Sequence, residues 1–323
     1  MNAVLIIDKP SGITSHDVVN RARRILRERS IGHLGTLDPM ATGVLPLVTG
    51  SLTRLAQFYT ASEKTYEGTI RFGFATTTYD AEGESTTTPQ EVLLRAEEIE
   101  TLATRFRGLI EQTPPPFSAK KIKGVPAYKL ARQQKEVKLE PVQVEIKEFE
   151  IVAVEADSVR FRARVASGTY MRSVAHDMGR ELGCGAHLES LRRTAVAEFT
   201  LEDAHTLDEL THLCHPDQNV CHPDRSVPSP KGTERGAEGP AFAVASSVEA
   251  LFIHPRKLLP NFPSVTADEP TVARIRSGRT VNLPELSRAR QVKVFAGQRE
   301  LIAIATRVAG TLFHPKIVLT TES

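Results

Sequence analysis

Two segments of the chain alternate between apolar and polar residues, and this pattern constrains the fold more than any other feature. In residues 64–74, one side of the segment is formed by Tyr66, Gly68, Ile70, Phe72 and Phe74. In residues 158–167, the apolar positions that alternate with three arginines are Val159, Phe161, Ala163 and Val165. Alternation with a period of two is typical of a β-strand with one buried face. The chain is therefore expected to build its core on a β-sheet.

Helical patterns lie between the predicted strands in an irregular order. Strands are predicted over residues 3–8, 64–74, 141–155 and 158–167, and the last two are expected to pair. Helices are predicted over 16–29, with Ser15 as the N-cap, and over 51–61, 91–108 and 167–183. Because these elements do not repeat as β-α-β units, the first 210 residues predict an α+β fold with a mixed sheet.

A change of composition divides the chain. Residues 214–246 are rich in Pro, Gly, Ser and charged residues and poor in apolar ones, so this segment is predicted to be a flexible insertion. We predict three parts: a catalytic domain over 1–213, the insertion over 214–246, and a small, mostly β domain over 247–323. The insertion contains CHPDQNVCHPDRS. Each Cys of this near repeat adjoins its His, which is not a standard zinc-ligand spacing, so no metal is predicted there.

Composition excludes several classes of protein. No apolar run approaches the roughly 18 to 20 residues of a membrane span, and the first residues lack the regions of a signal peptide. The three cysteines are Cys184, Cys214 and Cys221, an odd and sparse set that favours a reducing cytoplasm. A net charge of +2 neither requires nor excludes a nucleic-acid partner. Nothing in the sequence indicates more than a monomer.

The stretch GHLGTLDPMATGVLPL, residues 32–47, holds a single acid, Asp38, among glycines and apolar residues. An Asp before Pro is commonly a turn residue that caps a nearby amide. The glycines favour close approach of the backbone to a ligand, and Val44, Leu45 and Leu47 would remove water from the neighbourhood. A carboxylate in such a cleft suits a nucleophile or a general base. No second carboxylate lies in this stretch, so a paired-acid mechanism has no local support.

Several segments, in order, resemble the TruB family, the tRNA pseudouridine-55 synthases. They are LIIDKPSGITSHDVV, GHLGTLDPMATGVLPL, EKTYEGTIRFG, PPPFSAKKIKGVPAYKLAR, SGTYMRSVAHDMGRELGCGAHLESLRR and LLPNFPSVTADE. The resemblance covers residues 3–210 and, less closely, 258–320. It implies a pseudouridine-synthase fold, in which helices flank a central mixed, largely antiparallel sheet and a small PUA-like RNA-binding domain follows.

The resemblance also implies a reaction. The target uridine of the TΨC stem-loop of tRNA is flipped out of its stack, its N-glycosidic bond is broken, and the ring is rejoined through carbon 5. No cofactor or metal is needed, because the reaction involves neither redox chemistry nor hydrolysis. The resemblance leaves open whether the aspartate acts at the sugar or at the base.

The resemblance assigns a role to seven residues. Asp38 matches the catalytic aspartate, and Arg172 matches the arginine that pairs with it. Tyr66 matches the tyrosine that packs on the flipped base. The residues expected to contact the substrate besides Tyr66 are His33, Tyr170, Leu191 and Lys9.

Three hypotheses remain open from the sequence. The first is a stand-alone tRNA pseudouridine synthase without guide RNA; the second is a tRNA-folding helper in which catalysis is secondary. The third, a catalytic subunit that works on guide RNA with protein partners, is disfavoured because the chain lacks a long lysine-rich tail. Two clusters could contact RNA phosphates or be solvated surfaces. They are Arg21, Arg23, Arg24, Arg27 and Arg29, and Lys120, Lys121, Lys123 and Lys129.

Overall fold

The computed structural model describes residues 1–118, 120–122, 124–131, 133, 139–214, 251–285 and 288–320. Nearly all of the predicted insertion, with its Cys-His-Pro-Asp repeat, lies outside these ranges, as does Lys123 of the second basic cluster.

The larger sheet contains strands from the first 205 residues. Its strands are β1 (Val4–Lys9), β2 (Ile31–His33), β3 (Thr42–Thr49), β4 (Lys64–Phe72), β5 (Gly108–Gln112), β8 (Val142–Val154), β9 (Ser158–Val165), β10 (Ala186–Val196), β11 (Phe199–Thr200) and β12 (Ala204–His205). The main order is β12-β1-β3-β10-β4-β9-β8-β5, while β2 pairs with β3 and β11 with β10. All pairs are antiparallel except β1 with β12 and β3 with β10. The predicted mixed, largely antiparallel sheet is thus confirmed.

Several helices cover one face of this sheet. The α-helices of this part are α1 (Ser15–Leu26), α2 (Ala56–Tyr59), α3 (Ala96–Thr104), α4 (Ala127–Ala131), α5 (Met171–Glu181) and α6 (Leu207–Cys214). Buried side chains of α1, α3, α5 and α6 pack in one core with the apolar side of β4 and β9. The opposite side of β9 carries ion pairs, including Arg164 with Glu63 and Glu148. The alternation in the sequence therefore marks the core side and the solvent side correctly.

A second sheet of five strands lies in the C-terminal part. Its strands are β13 (Ser264–Ala267), β14 (Val281–Asn282), β15 (Gln291–Ala296), β16 (Glu300–Ala309) and β17 (Leu312–Val318). Their order is β13-β15-β16-β17-β14, and helix α7 (Glu269–Arg276) packs against them. A small hairpin, β6 (Lys121–Ile122) and β7 (Val125–Pro126), stands apart from both sheets. The expected α+β class with a small, mostly β C-terminal domain is confirmed.

The two sheets share an apolar interface. Residues of β1 and β3, such as Val4 and Val48, pack with Phe295, Ile304 and Ile317 of the second sheet. The chain re-enters the described ranges at residue 251, and residues 251–253 lie along β1 before the second sheet begins. The predicted domain boundaries stay predictions.

Three local predictions were wrong in detail. Thr14, not Ser15, caps α1, because its side chain exchanges bonds with Asp17 in a capping box. The predicted helix over 51–61 is a 3₁₀-helix, Gly50–Leu55, followed by the single turn of α2. The helix predicted over 91–108 is only Ala96–Thr104, because backbone amides ahead of it bond across to other segments, as Leu94 does to the carbonyl of Ala156.

Candidate active site

The loop that holds Asp38 lies between β2 and β3 and is fixed by α1 and by the turn after β1. The Ser15 hydroxyl accepts the Leu37 amide at 2.8 Å, so the residue mistaken for a cap instead ties α1 to this loop. The carbonyl of Pro39 accepts hydrogen bonds from the Gly12 amide, at 2.9 Å, and from Lys9 Nζ, at 3.0 Å. These bonds hold the residues on both sides of Asp38 and so fix the backbone position from which its side chain extends.

Arg172 on α5 meets Asp38 as the resemblance implies. Arg172 Nη2 donates to Asp38 Oδ1 at 2.9 Å and to the carbonyl of Phe117 at 3.0 Å. The arginine side chain is only 5% exposed, whereas that of Asp38 is 34% exposed. The guanidinium is thus a buried fixed charge, and the carboxylate it holds faces an opening.

A second carboxylate, Asp80, shares this arginine. Arg172 Nη1 lies 3.4 Å from Asp80 Oδ2 and donates to the carbonyl of Thr78 at 3.2 Å. Asp80 is almost fully buried, and its Oδ1 accepts from the Thr78 hydroxyl and the Glu82 amide. Asp80 was not predicted as a site residue, because an Asp in a threonine-rich turn is ordinary and this one lies far from Asp38 along the chain. Its nearness to Arg172 is what distinguishes it.

The environment opposes ionisation of Asp38. Burial raises the pKa of its carboxyl above the ordinary 3.8, the negative charge of Asp80 adds to the rise, and Arg172 opposes it. The carboxylate is therefore more basic than an aspartate in water. A raised pKa favours an acid–base role near neutral pH.

This raised pKa predicts a pH-dependent stability. The folded state binds the Asp38 proton more tightly than the unfolded chain, so ionisation costs folding free energy as the pH rises from 3.8 through the raised folded-state pKa. We expect Asp38→Asn to raise the midpoint of thermal unfolding at pH 7.5, with the gain shrinking as the pH approaches 3.8. Melting curves measured across that range check this. A variant less stable than the wild type at pH 7.5 would mean that pairing with Arg172 outweighs burial.

A cavity of about 920 Å³ opens over Asp38. Its walls include four of the predicted substrate-contacting residues, namely His33, Tyr66, Tyr170 and Leu191, together with Asp38 and Arg172. Tyr66 comes from β4, Leu191 from β10, and Tyr170 is the residue before α5, so the sheet and α5 build the cavity together. The size suits a small organic group or one nucleotide with parts of its neighbours.

Lys9 is the one predicted site residue that does not line this cavity. Its side chain is fully buried, and its ammonium donates to the carbonyls of Pro10, Ile13 and Pro39. Burial lowers its pKa to about 8. These contacts describe a residue that positions the Asp38 loop. The expectation that Lys9 touches substrate stays a prediction.

The loop that carries Asp80 is held against α5 by a ring stack. Tyr79 and His176 stack with ring centroids 3.8 Å apart and planes 9° apart, and His176 lies one helical turn after Arg172. Tyr79 adopts φ +65°, a left-handed conformation that costs free energy for a bulky residue. The strained backbone directs the ring onto α5 while Thr78 and Asp80 on either side contact Arg172.

Removing the Tyr79 ring should therefore slow turnover, because Thr78 and Asp80 would hold Arg172 less firmly in place. We expect Tyr79→Gly to lower kcat by about fivefold, with little change in KM, because a stack of this kind is worth about 1 kcal/mol. Glycine tolerates φ +65°, so the loss would come from the ring and not from backbone strain. Tyr79→Phe, which keeps the ring, is the matched control and should be near wild type in steady-state kinetics. Equal losses in both variants would contradict a role for the stack.

Two further findings concern the described ranges only. No group of three or more His, Cys, Asp or Glu side chains lies close enough together to hold a metal ion within the described residues. No helix in that part of the chain is long and apolar enough to cross a membrane.

Solved structures share this architecture. A chain of an H/ACA RNP bound to a substrate RNA containing 2′-deoxyuridine superposes with a TM-score of 0.68 over 99% of this chain and 85% of that chain, at 22% identity. An archaeal box H/ACA sRNP Nop10–Cbf5 complex contains a chain that gives 0.67 over 98% and 86%, also at 22% identity. At this level of identity the similarity defines the fold.

Sequence comparison defines the class of enzyme. Residues 23–171 match the model of the TruB family pseudouridylate synthase N-terminal domain, and residues 172–224 match that of the tRNA pseudouridylate synthase B C-terminal domain. The fold, with an aspartate and an arginine in its cleft, is that of a pseudouridine synthase. The chain belongs to the TruB family.

Curated relatives extend over the whole chain. The tRNA pseudouridine synthase B of Solibacter usitatus is 47% identical over 322 residues, covering 99% of this chain and 100% of the relative. That of Azoarcus sp. is 36% identical over 323 residues, covering 100% and 96%. That of Bacillus anthracis is 40% identical over 286 residues, covering 86% and 83%.

Proposed function

We propose that the protein isomerises the uridine at position 55, in the TΨC loop of tRNA, to pseudouridine, and that it does so alone, without guide RNA. The observation that supports this most is the Asp38–Arg172 pair, which lies in a cavity lined by Tyr66 in a chain of the TruB family. The names of the full-length relatives support tRNA as the substrate. A monomer acting in the cytoplasm remains our expectation.

The reaction needs a uridine outside its helical stack. Flipping costs a few kcal/mol, which the cavity must offset by stacking and hydrogen bonds. Tyr66 on β4 offers an aromatic face for the base, and Leu191 on β10 offers apolar contact. Tyr170 lines the same cavity, and a tyrosine hydroxyl can both donate and accept hydrogen bonds.

The chemistry then rearranges bonds within one nucleotide. The bond between N1 of the base and C1′ of the ribose breaks, the base turns, and a bond forms between C5 and C1′. The proton on C5 leaves and N1 gains a proton, so the product is an isomer. Asp38, the carboxylate that Arg172 holds toward the cavity, is the one we assign to this centre, acting either at the sugar or at the base ring. Arg172 keeps it aimed, because Nη2 donates to Asp38 Oδ1 while the bonds to the carbonyls of Thr78 and Phe117 fix the plane of the guanidinium.

One assay tests the proposal directly. Purified protein is incubated with an unmodified tRNA transcript tritiated at C5 of uridine, without guide RNA or added metal. Tritium release by the wild type, lost in Asp38→Asn, is the expected result. No release from a folded sample that binds the transcript would overturn the proposal and favour the folding helper or a missing partner.

The position of the product provides a second measurement. Mapping pseudouridine in the reacted transcript should show one modified site, at position 55. Modification elsewhere would keep the enzyme class and change the substrate assignment.

A further inference from the structure

The cavity over Asp38 has two electrostatically different sides. One side is acidic and holds Asp38, Asp80 and Glu82, with Arg172 between the first two. Burial and the negative charges of Asp80 and Asp38 raise the pKa of Glu82, while Arg172 opposes the rise. The other wall holds His33, Lys64 and Arg193, none of which belongs to the reacting pair.

These three basic residues pack around Gly35. A Cβ added to Gly35 would lie 3.7 Å from Arg193 Nη1 and 4.0 Å from Lys64 Cε. The Gly35 amide donates to His33 Nδ1 at 3.3 Å. Gly35 has φ +133°, a conformation that L side chains rarely adopt, so the backbone itself favours glycine at this position.

No acidic group in the described part of the chain offsets the charge of Lys64 or His33. The pKa of Lys64 is lowered by burial and by the charge of Arg193. The pKa of His33 is lowered by burial and by the charges of Arg193 and His16. Among the described residues no carboxylate acts on either group. An unbalanced positive cluster on a cavity wall is a site that an anion would stabilise.

Each member contributes differently. Arg193 is buried, and its Nε, Nη1 and Nη2 donate to the carbonyls of Val44, Thr36 and Gly35, so it supplies a fixed charge rather than a free donor. Within the described ranges, Lys64 Nζ donates one hydrogen bond, to the carbonyl of Ser62 at 2.6 Å, whereas an ammonium carries three protons. Lys64 is therefore the group able to contact a ligand.

His33 adds a second donor. Its Nδ1 accepts the Gly35 amide, which places the proton of the neutral ring on Nε2. The donor thus lies on the side of the ring away from Gly35. Lys64 and His33 together offer two donors beside one fixed positive charge.

The strand register places this cluster next to Tyr66, the residue proposed to stack on the flipped base. Lys64 and Tyr66 are two residues apart on β4, so their side chains project to the same face about 7 Å apart. A nucleotide with its base on Tyr66 has a phosphodiester group on each side of its ribose. One of these would lie toward Lys64 while the ribose faces Asp38.

We propose that Lys64, His33 and Arg193 form a subsite for one phosphodiester group of the flipped nucleotide. The ligand is an RNA backbone phosphate, and the subsite sets which way the strand runs across the cavity. The inference rests on the proposed function, since it takes the flipped uridine as the occupant.

The salt dependence of binding tests the charge contact. We expect Lys64→Gln to weaken binding of the tRNA transcript about tenfold, the loss of one charge-assisted hydrogen bond. The plot of log affinity against log salt concentration should become less steep by about 0.7 to 1, the value of one phosphate contact. Lys64→Arg should keep the slope. Lys147→Gln is the matched control, because Lys147 pairs with Glu63 and does not line the cavity.

A neutral backbone linkage locates the phosphate. Affinity for transcripts with a single methylphosphonate on the 5′ or the 3′ side of the target uridine is measured with the wild type and with Lys64→Gln. One linkage should weaken wild-type binding and leave binding by Lys64→Gln unchanged. Independent losses at both linkages, or an unchanged salt slope in Lys64→Gln, would overturn the subsite.

Tritium release separates this inference from the proposed function. The assay is run with wild type and Lys64→Gln at saturating protein. Release by both proteins, together with an unchanged salt slope, would reject the subsite and leave the proposed function standing. No release by the wild type would reject the proposed function.

Discussion

Asp38→Ala is expected to lower turnover by at least about 10³-fold while leaving tRNA affinity within a few-fold of the wild type. The rate loss follows from removing the carboxylate in reach of the reacting bonds, and a positioned acid or base contributes 10² to 10⁴-fold. Affinity should persist because phosphate contacts dominate RNA binding and Asp38 makes none of them. Single-turnover tritium release gives the rate, and filter binding of the same transcript gives the affinity.

The choice of variants makes this result interpretable. Asp38→Asn keeps the shape of the side chain and removes only its charge and basicity, so it should lose turnover to a similar extent. Circular dichroism establishes that both variants are folded. If tRNA binding disappeared together with turnover, Asp38 would be holding the cavity together rather than taking part in the reaction.

Arg172→Lys is expected to lower turnover by about 10²-fold or more, although it preserves the charge. One guanidinium spans Asp38, Asp80 and two backbone carbonyls, those of Thr78 and Phe117. An ammonium is a compact point charge and cannot reproduce this planar arrangement of donors. Asp38 would then be less well directed, and Asp80 would be left buried without its partner. Steady-state kinetics should show the loss in kcat rather than in KM.

Stability measurements accompany this variant. Breaking a buried ion pair by removing one partner costs about 3 to 5 kcal/mol, and the lysine should recover only part of that. Asp80→Asn provides the comparison, since it removes the second carboxylate and leaves the Asp38–Arg172 pair in place. Near-normal activity in Arg172→Lys would show that the fork of donors does not position the nucleophile.

Much of the site could be predicted from sequence, and the reason differs by residue. Tyr66 lies on a strand whose alternation shows its face without any knowledge of the fold. Asp38 lies in a stretch whose glycines and apolar residues are unusual for a surface loop. Arg172 lies on an amphipathic helix, and only the family resemblance connected it with Asp38, because a residue on α5 has no sequence signal that points toward a loop after β2.

Asp80 and the cluster around Gly35 could not be predicted in this way. Asp80 lies 42 positions after Asp38 in sequence, and its carboxylate matters because a buried guanidinium requires a second partner. Gly35, Lys64 and Arg193 come from a loop and two strands, and each is unremarkable by itself. Gly43 shows the opposite error: it was expected to let a ligand approach, and instead it lets β3 approach the Arg193 backbone, where a Cβ would lie 2.2 Å from the carbonyl oxygen.

The sequence by itself determined the class of fold, the faces of the central strands and the unusual setting of Asp38, whose proposed catalytic role comes from the family resemblance. Periodicity and local composition act over a few residues, so those properties can be read along the chain. The tertiary structure decided which charges share one arginine, that Lys9 is enclosed by carbonyls, and that His33, Lys64 and Arg193 meet around Gly35. These facts depend on distances between segments far apart in sequence, which are set by the packing of α5 and the Asp38 loop on the sheet.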